Sequence, residues 1–260
     1  MVKLVIDGKQ VEVEKGLSVL EAAQKIGVEI PTLCYHPAVS AYGACRICTV
    51  EVIRKGWSRL TAACTYPVQE GIEVKTNSDK VKKARKLIME MLLARCPNVK
   101  AIQDLAKKMG VEKTRFPEEN EECILCGLCV RVCQEVIGVS AIGFVNRGIE
   151  RKVTAPFEVQ SDKCIGCGAC AIVCPTGAIK IEDIEDKRRI DIWHTELERA
   201  KCKVCGRYFS PMATIDYLEK KGIEKIQEFL NLCPDCKRDV LINKLNKVNY
   251  SSSPVKFSNF

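Results

Sequence analysis

The sequence has no P-loop, no G-x-G-x-x-G following a strand and no nucleophile with a base nearby. Nucleotide cradling and covalent or two-electron catalysis therefore have no evident seat in this chain. Aromatic residues make up only 6% of it, too few for the stacking platform of a nucleic-acid reader. No run of eighteen apolar residues occurs, so no membrane-spanning helix is expected. The opening Met1-Val2-Lys3-Leu4-Val5-Ile6-Asp7-Gly8 has neither an apolar h-region nor a cleavage site, so no secretory leader is expected. The net charge of +8 is only mildly basic and fits a solvated or docking face.

What the sequence has instead is cysteine, 17 of them in 260 residues. The number is odd and the spacings are those of metal ligands, which favours a reducing, oxygen-poor cytoplasm over a disulfide framework. The densest stretch reads C-I-L-C-G-L-C-V-R-V-C and then C-I-G-C-G-A-C-A-I-V-C-P. Cys123, Cys126, Cys129 and Cys133 follow C-x2-C-x2-C-x3-C, and Cys164, Cys167, Cys170 and Cys174 repeat it before Pro175. A given cysteine would start such a run by chance roughly 3 times in 10,000. This is the spacing by which bacterial-type ferredoxins hold two 4Fe–4S clusters, the fourth cysteine of each run serving the other cluster. The expected ligand sets are therefore Cys123, Cys126, Cys129 and Cys174, and Cys164, Cys167, Cys170 and Cys133. Two zinc sites fit less well, because zinc knuckles come in C-x2-C pairs.

Residues 1–78 read as a small α+β unit. Lys3–Asp7 and Gln10–Glu14 alternate around Asp7-Gly8, a hairpin signal. Ser18-Val19-Leu20-Glu21 is a capping box opening a helix that stops at Gly27. Strands are expected over Val50–Lys55, Arg59–Ala63 and Ile72–Lys75. Cys34, Cys45, Cys48 and Cys64 are spaced C-x10-C-x2-C-x15-C, a variant of the plant-type 2Fe–2S arrangement. Gly43 lets the loop backbone pass close to the cluster.

The segments Leu33-Cys34-Tyr35-His36-Pro37, Gly43-Ala44-Cys45-Arg46-Ile47-Cys48-Thr49-Val50-Glu51-Val52, Ala62-Ala63-Cys64 and Val74-Lys75-Thr76-Asn77-Ser78 resemble one family. It is the iron–sulfur subunit group shared by respiratory complex I, NAD-linked hydrogenase diaphorases, hydrogenases of the di-iron class and NAD-linked formate dehydrogenases. The resemblance covers roughly residues 1–182. It implies a β-grasp ferredoxin domain over 1–78, a helical linker over 79–119 and a two-cluster ferredoxin domain over 120–182. It also implies an electron-transfer subunit. Its partners would be a flavin- and NAD(P)-binding subunit and a catalytic oxidoreductase subunit: a hydrogenase, a formate dehydrogenase or an electron-bifurcating complex. Ferredoxin is a further candidate partner. Many relatives hold another 4Fe–4S cluster with one His and three Cys in the linker. Here that stretch has only Cys96, so that cluster is expected to be absent and Cys96 to be a buried thiol. His36, beside Pro37, reads as a loop histidine rather than a ligand.

Ser78 is expected to cap a helix from Asp79 to about Arg95, with Val81, Ala84, Leu87, Ile88, Met91 and Leu92 on its apolar face and Lys80, Lys82, Lys83, Arg85 and Lys86 opposite. A second helix is expected over Ala101–Met109. Strand-like inserts are expected at Ala141–Val145 and Arg151–Val153, and a strand at Ala178–Ile181. A charged boundary follows at Glu182–Arg189.

A separate module is expected over 183–242. Cys202-x2-Cys205-Gly206 and Cys233-x2-Cys236 are two knuckles with 27 residues between them. They suit a four-cysteine zinc site, with a further iron–sulfur cluster as the rival occupant. Short helices are expected over Thr214–Lys220 and Glu224–Leu232, and a polar tail over 243–260. The rival functional reading of the whole chain is a zinc-dependent interaction or nucleic-acid-binding module.

Overall fold

The computed structural model describes residues 1–222 and 229–247. The expected helix Glu224–Leu232 begins in residues 223–228, which lie outside the described residues, as does the stretch 248–260 of the expected tail. Contacts divide the chain into two compact units: Met1–Lys163 with Gly168–Lys180, and Cys164–Cys167 with the residues from Ile181 onward.

The first unit opens with the hairpin of β1 (Val2–Ile6) and β2 (Lys9–Val13). Asp7 and Gly8 both take positive φ (48° and 81°), which the tight turn between twisted strands requires. Helix α1 (Val19–Lys25) starts at the Ser18 capping box: the Ser18 hydroxyl accepts from Glu21 N–H, and the Glu21 carboxylate accepts from Ser18 N–H. Strands β3 (Thr49–Arg54), β4 (Trp57–Ala62) and β5 (Glu73–Lys75) complete a five-stranded sheet in the order β2-β1-β5-β3-β4. β1 and β5 run parallel, with Ile6 opposite Val74, and the other pairs are antiparallel. Alternation along the strands sends Leu4, Ile6, Val11, Val13, Val50, Val52 and Val74 inward onto Leu20 and Ala23 of α1.

Helix α2 spans Asp79–Arg95 and α3 spans Lys100–Lys108. The buried side of α2 matches the expected one in part: Val81 is buried and Ile88 and Leu92 pack on the core, but Met89, Leu93 and Ala94 are buried as well and Leu87 and Met91 are exposed. The helix packs on β3 along one part and on α3 along another, so its covered face rotates along its length. The basic side is not a free stripe. Arg85 Nε donates to Thr49 O and Lys80 pairs with Glu51.

The first cysteine run leads into α4 (Leu128–Arg131), which continues as a π-helical turn over Val132–Ile137. Two short strands, β6 (Gly143–Val145) and β7 (Lys152–Thr154), form a separate ribbon, and the second run contains α5 (Ala169–Ile172).

The expected strand at Ala178–Ile181 is not formed. Strand structure begins instead at Glu182, in β8 (Glu182–Ile184) and β9 (Lys187–Ile190), so the charged stretch is itself a hairpin. With β10 (Thr195–Lys201) and β11 (Tyr208–Pro211) it makes a four-stranded antiparallel sheet ordered β11-β10-β9-β8. Helix α6 (Met212–Lys220) follows, and α7 (Pro234–Lys247) runs past the expected end of the module.

Candidate metal centres

The fold brings Cys34, Cys45, Cys48 and Cys64 together. Cys34 and Cys45 lie in the long loop between α1 and β3, Cys48 precedes β3, and Cys64 follows β4. Thiol Cys48 Sγ donates to Cys64 Sγ at 3.5 Å, Cys45 N–H donates to Cys34 Sγ at 3.5 Å, and all four residues are buried. Hydrogen bonds from the Cys45 and Cys64 thiols hold the Cys34 sulfur far down, at about 2, despite its burial. The Cys64 thiol brings Cys48 down to about 7. Cys45 and Cys64 are pushed up, each by the neighbouring Cys34 sulfur first, with Cys48 next for Cys64 and burial adding to both. Four thiols sharing protons in a dry pocket form a soft donor set that suits a di-iron rhomb. Gly43 takes φ 69°, and a side chain there would meet Thr65 Cγ2 at 3.1 Å.

Cys123, Cys126, Cys129 and Cys174 also lie in one neighbourhood of the first unit. Burial pushes the Cys123 thiol up, and burial first, then the charges of neighbours including Cys123 and Cys174, pushes Cys126 up to about 11. Cys129 is raised by burial and by Cys126, Cys123, Cys170 and Cys174. For Cys174 burial pulls upward, but hydrogen bonds from Thr176, Ala178 and Ile179 leave the net direction downward. These sulfurs are close enough to feel one another's charge and too buried to ionise cheaply alone. That combination fits a cationic iron cluster, whose binding releases the thiol protons. Leu125 N–H donates to Cys123 Sγ at 3.4 Å. Gly127 adopts φ 71°, and a Cβ there would strike Phe144 Cζ at 2.9 Å.

The other predicted set is divided by the contact pattern. Cys133 and Cys170 belong to the first unit, with Ala141 N–H donating to Cys133 Sγ at 3.3 Å. Cys164 and Cys167 belong to the second. There the intervening backbone is gripped: Thr214 Oγ1 donates to Ile165 O at 2.5 Å and Arg188 Nη1 to Gly166 O at 2.8 Å.

In the C-terminal module the ligand atoms of Cys202, Cys205, Cys233 and Cys236 all lie within 4.8 Å of one another. Cys202 Sγ accepts from Cys233 N–H at 3.3 Å, and Arg207 Nη2 donates to Cys233 Sγ at 3.5 Å. Backbone N–H groups of Cys205 and Cys233 bring Cys202 down to about 6. The Arg207 guanidinium lowers Cys233, while the neighbouring sulfurs push Cys236 up to about 12. The site suits a tetrahedral thiolate-bound ion.

Two other residues singled out from the sequence can be placed. Cys96 is fully buried, and desolvation pushes its thiol up to about 12, so it is inert. His36 Nδ1 accepts from Ala38 N–H at 3.2 Å, inside its own loop. Sequence reasoning missed Arg131, the middle residue of C-V-R-V-C, whose side chain reaches the carbonyls of two predicted ligands, Cys34 and Cys126. Its place between two cysteines was the only local signal.

Comparison with known proteins bears on two stretches of the chain. Residues 1–79 match the 2Fe-2S iron-sulfur cluster binding domain, and residues 157–180 match the 4Fe-4S binding domain. The chain is 38% identical over 173 residues to the NADPH-Fe(3+) oxidoreductase subunit alpha of Geobacter sulfurreducens, covering 57% of this chain and 20% of that protein. It is 34% identical over 233 residues to an NADH-quinone oxidoreductase subunit of Rhizobium meliloti, covering 79% of this chain and 27% of that one. The chain thus spans only a fifth to about a quarter of the length of these relatives. Among solved structures, an NAD+-reducing [NiFe]-hydrogenase in the H2-reduced state matches with a TM-score of 0.60 and 29% identity, over 68% of this chain and 86% of that one. The protein is an iron–sulfur protein, with a 2Fe–2S cluster binding domain at its N-terminal end and a 4Fe–4S binding segment in its middle.

Proposed function

We propose that the chain is an electron-transfer subunit of a multi-subunit oxidoreductase. It would relay single electrons between a flavin- and NAD(P)-binding subunit and a catalytic subunit such as a hydrogenase, a formate dehydrogenase or an electron-bifurcating partner, in a reducing cytoplasm. In this reading residues 1–78 are a β-grasp ferredoxin domain with Cys34, Cys45, Cys48 and Cys64 on a 2Fe–2S cluster. Residues 79–119 are a helical linker. Residues 120–182 carry two 4Fe–4S clusters, one on Cys123, Cys126, Cys129 and Cys174 and the other on Cys164, Cys167, Cys170 and Cys133. For the latter set the repeated spacing is the support. Cys202, Cys205, Cys233 and Cys236 hold a zinc ion that staples the C-terminal module.

The observation that carries the reading is a shared core. Cys34 and Cys45 of the 2Fe–2S group are buried in the same apolar cluster as Cys126, packed with Ile47, Ile124 and Leu128. Iron–sulfur clusters supply one-electron storage, and tunnelling between such sites falls steeply with distance. The described residues around these cysteines pack both groups into one apolar core that excludes water. The names of the relatives point to pyridine-nucleotide oxidoreductases. None of the described helices is long and apolar enough to cross a membrane.

The test is anaerobic isolation of the native complex. NAD(P)H should bleach the clusters of this chain in the presence of its co-purifying flavoprotein, and deleting the chain should abolish electron transfer to the catalytic subunit. A monomer with no flavoprotein companion, whose deletion leaves turnover unchanged, would end the proposal.

A further inference from the structure

Arg131 sits at the end of α4, two residues after Cys129 and two before Cys133. Its side chain is buried, with the residue 8% exposed. A guanidinium is always charged, so burying one needs compensation. Among the described residues its hydrogen bonds go to carbonyl groups, and the exposed Glu135 carboxylate one turn away feels its charge only weakly, as the last of the causes that lower it. Nη2 donates to Cys34 O at 2.8 Å and to Cys126 O at 3.5 Å, Nε donates to Gly127 O at 3.3 Å, and Nη1 donates to Ser40 O. Carbonyl dipoles solvate the cation without cancelling its charge.

The two ends of this fork belong to different cysteine groups. Cys34 and Ser40 lie in the loop of the N-terminal group, and Cys126 and Gly127 lie in the first of the two later runs. One helical turn beyond Arg131, Glu135 grips the same loop from its other side. Its carboxylate accepts from Ser40 N–H at 2.7 Å and from Ser40 Oγ at 2.6 Å. The guanidinium also lies 5.5 Å from the centroid of Tyr42, which stacks on Phe144 with centroids 6.1 Å apart. Arg151 lies 3.9 Å from the Phe144 centroid and donates to Tyr42 Oη at 2.9 Å.

We propose that Arg131 is a positioning residue of the relay, a buried cation that ties the Cys34 loop to the Cys126 loop and raises the reduction potential of both the 2Fe–2S cluster and the adjacent 4Fe–4S cluster. The inference rests on the relay reading above. Its physical basis is the sign of the charge. Reduction adds an electron to each site, and a fixed positive charge in a low-dielectric core favours the reduced state. Carbonyls on two loops also fix the gap that the electron crosses, a task for a planar five-donor fork that a lysine ammonium cannot copy.

The experiment is an anaerobic redox titration followed by EPR on the full-length protein, comparing the parent with R131M, R131K and E135Q. In R131M the potentials of the 2Fe–2S and the adjacent 4Fe–4S cluster should fall together, while the remaining 4Fe–4S potential stays put. R131K should recover most of that fall, because the charge returns, but should weaken the magnetic interaction between the two centres, because the fork does not. Glu135 is exposed and its removal should not compromise folding. E135Q should shift the same two potentials upward, by less, so the proposal stays decidable if R131M does not assemble. Potentials in R131M equal to the parent's, or in E135Q if R131M does not assemble, or a fall of all three potentials in parallel, would overturn the role of Arg131 and leave the relay standing. A parent protein without clusters would defeat both.

Discussion

The N-terminal sheet and the C-terminal sheet hold their sulfurs in opposite ways. The first wraps a continuous apolar core, with Leu4, Ile6, Val13, Leu20, Val50 and Val74 all at 2% exposure or less; Cys48 and Cys64 sit in that core, and Cys34 and Cys45 in the neighbouring apolar cluster with Ile47. The second buries Ile190, Trp193, Ile215 and Leu230, but around its cysteines the buried residues among those described are Cys202, Leu232 and Cys233, with Phe209, Phe229 and Val240 only partly covered. Its strands are joined across the ladder by charge: Arg188 clasps Asp183 at 2.7 and 2.8 Å, and Lys187 and Arg189 both reach Glu196. Exposed ion pairs contribute about 0–1 kcal/mol each, far less than an apolar core of this size. The N-terminal sheet should therefore fold before it is metallated, whereas the C-terminal module should depend on its ion.

The strongest way to break this contrast is to remove a ligand from each side. C233S should unfold the C-terminal module, because structural zinc contributes on the order of 10 kcal/mol in small zinc domains. Limited proteolysis would then cut between Lys201 and Lys247 while the N-terminal sheet stayed protected. A C-terminal module as resistant as the parent's would place its stability in the protein rather than in the metal. C64S should do the reverse, costing the 2Fe–2S signal but leaving the sheet folded by circular dichroism.

A core truncation should come next in size. Leu20 is fully buried in α1 against the sheet, and L20A should cost about 2–5 kcal/mol of N-terminal stability. The C-terminal module should be untouched. Equal destabilisation of both would mean that the two sheets do not fold independently.

The smallest effect is a pH dependence confined to the N-terminal half. The Glu51 carboxylate accepts from Ser58, Ser78 and Lys80, joining β3 to the N-terminus of α2. Those hydrogen bonds, that from Ser58 first, bring it down from 4.5 to about 2. A carboxyl lowered on folding stabilises the protein above its unfolded value, and the contribution is lost as pH falls through the folded one. Thermal midpoints of the parent should therefore fall more steeply than those of E51Q between pH 4.5 and 2. Parallel pH profiles would remove Glu51 from the account.

The sequence was most legible where its signals were local. The Asp7-Gly8 turn, the Ser18 capping box and the limits of α2 all depend on neighbours within a few residues, and they stand as read. The covered side of α2 was legible only in part, at Val81, Ile88 and Leu92, because what covers Met89 and Leu93 is decided by distant partners. The C-terminal strands were missed because Thr-Glu-Leu-Glu-Arg-Ala-Lys in β10 carries helix-forming residues, and only cross-strand charges make it a strand. The thiol groups were visible as spacings. Their protonation was not, since it depends on which sulfurs meet across the fold. Arg131 was the least legible of all: its acceptors at Ser40 and Cys34 lie 91 and 97 positions away in the chain.

The most direct test of the central claim is the metal and acid-labile sulfide content of the anaerobically purified chain, read together with EPR. The account requires about ten iron atoms with a similar amount of sulfide, one 2Fe–2S signal, two 4Fe–4S signals, and one further thiolate-bound ion. A colourless protein without sulfide, carrying mostly zinc, would contradict it.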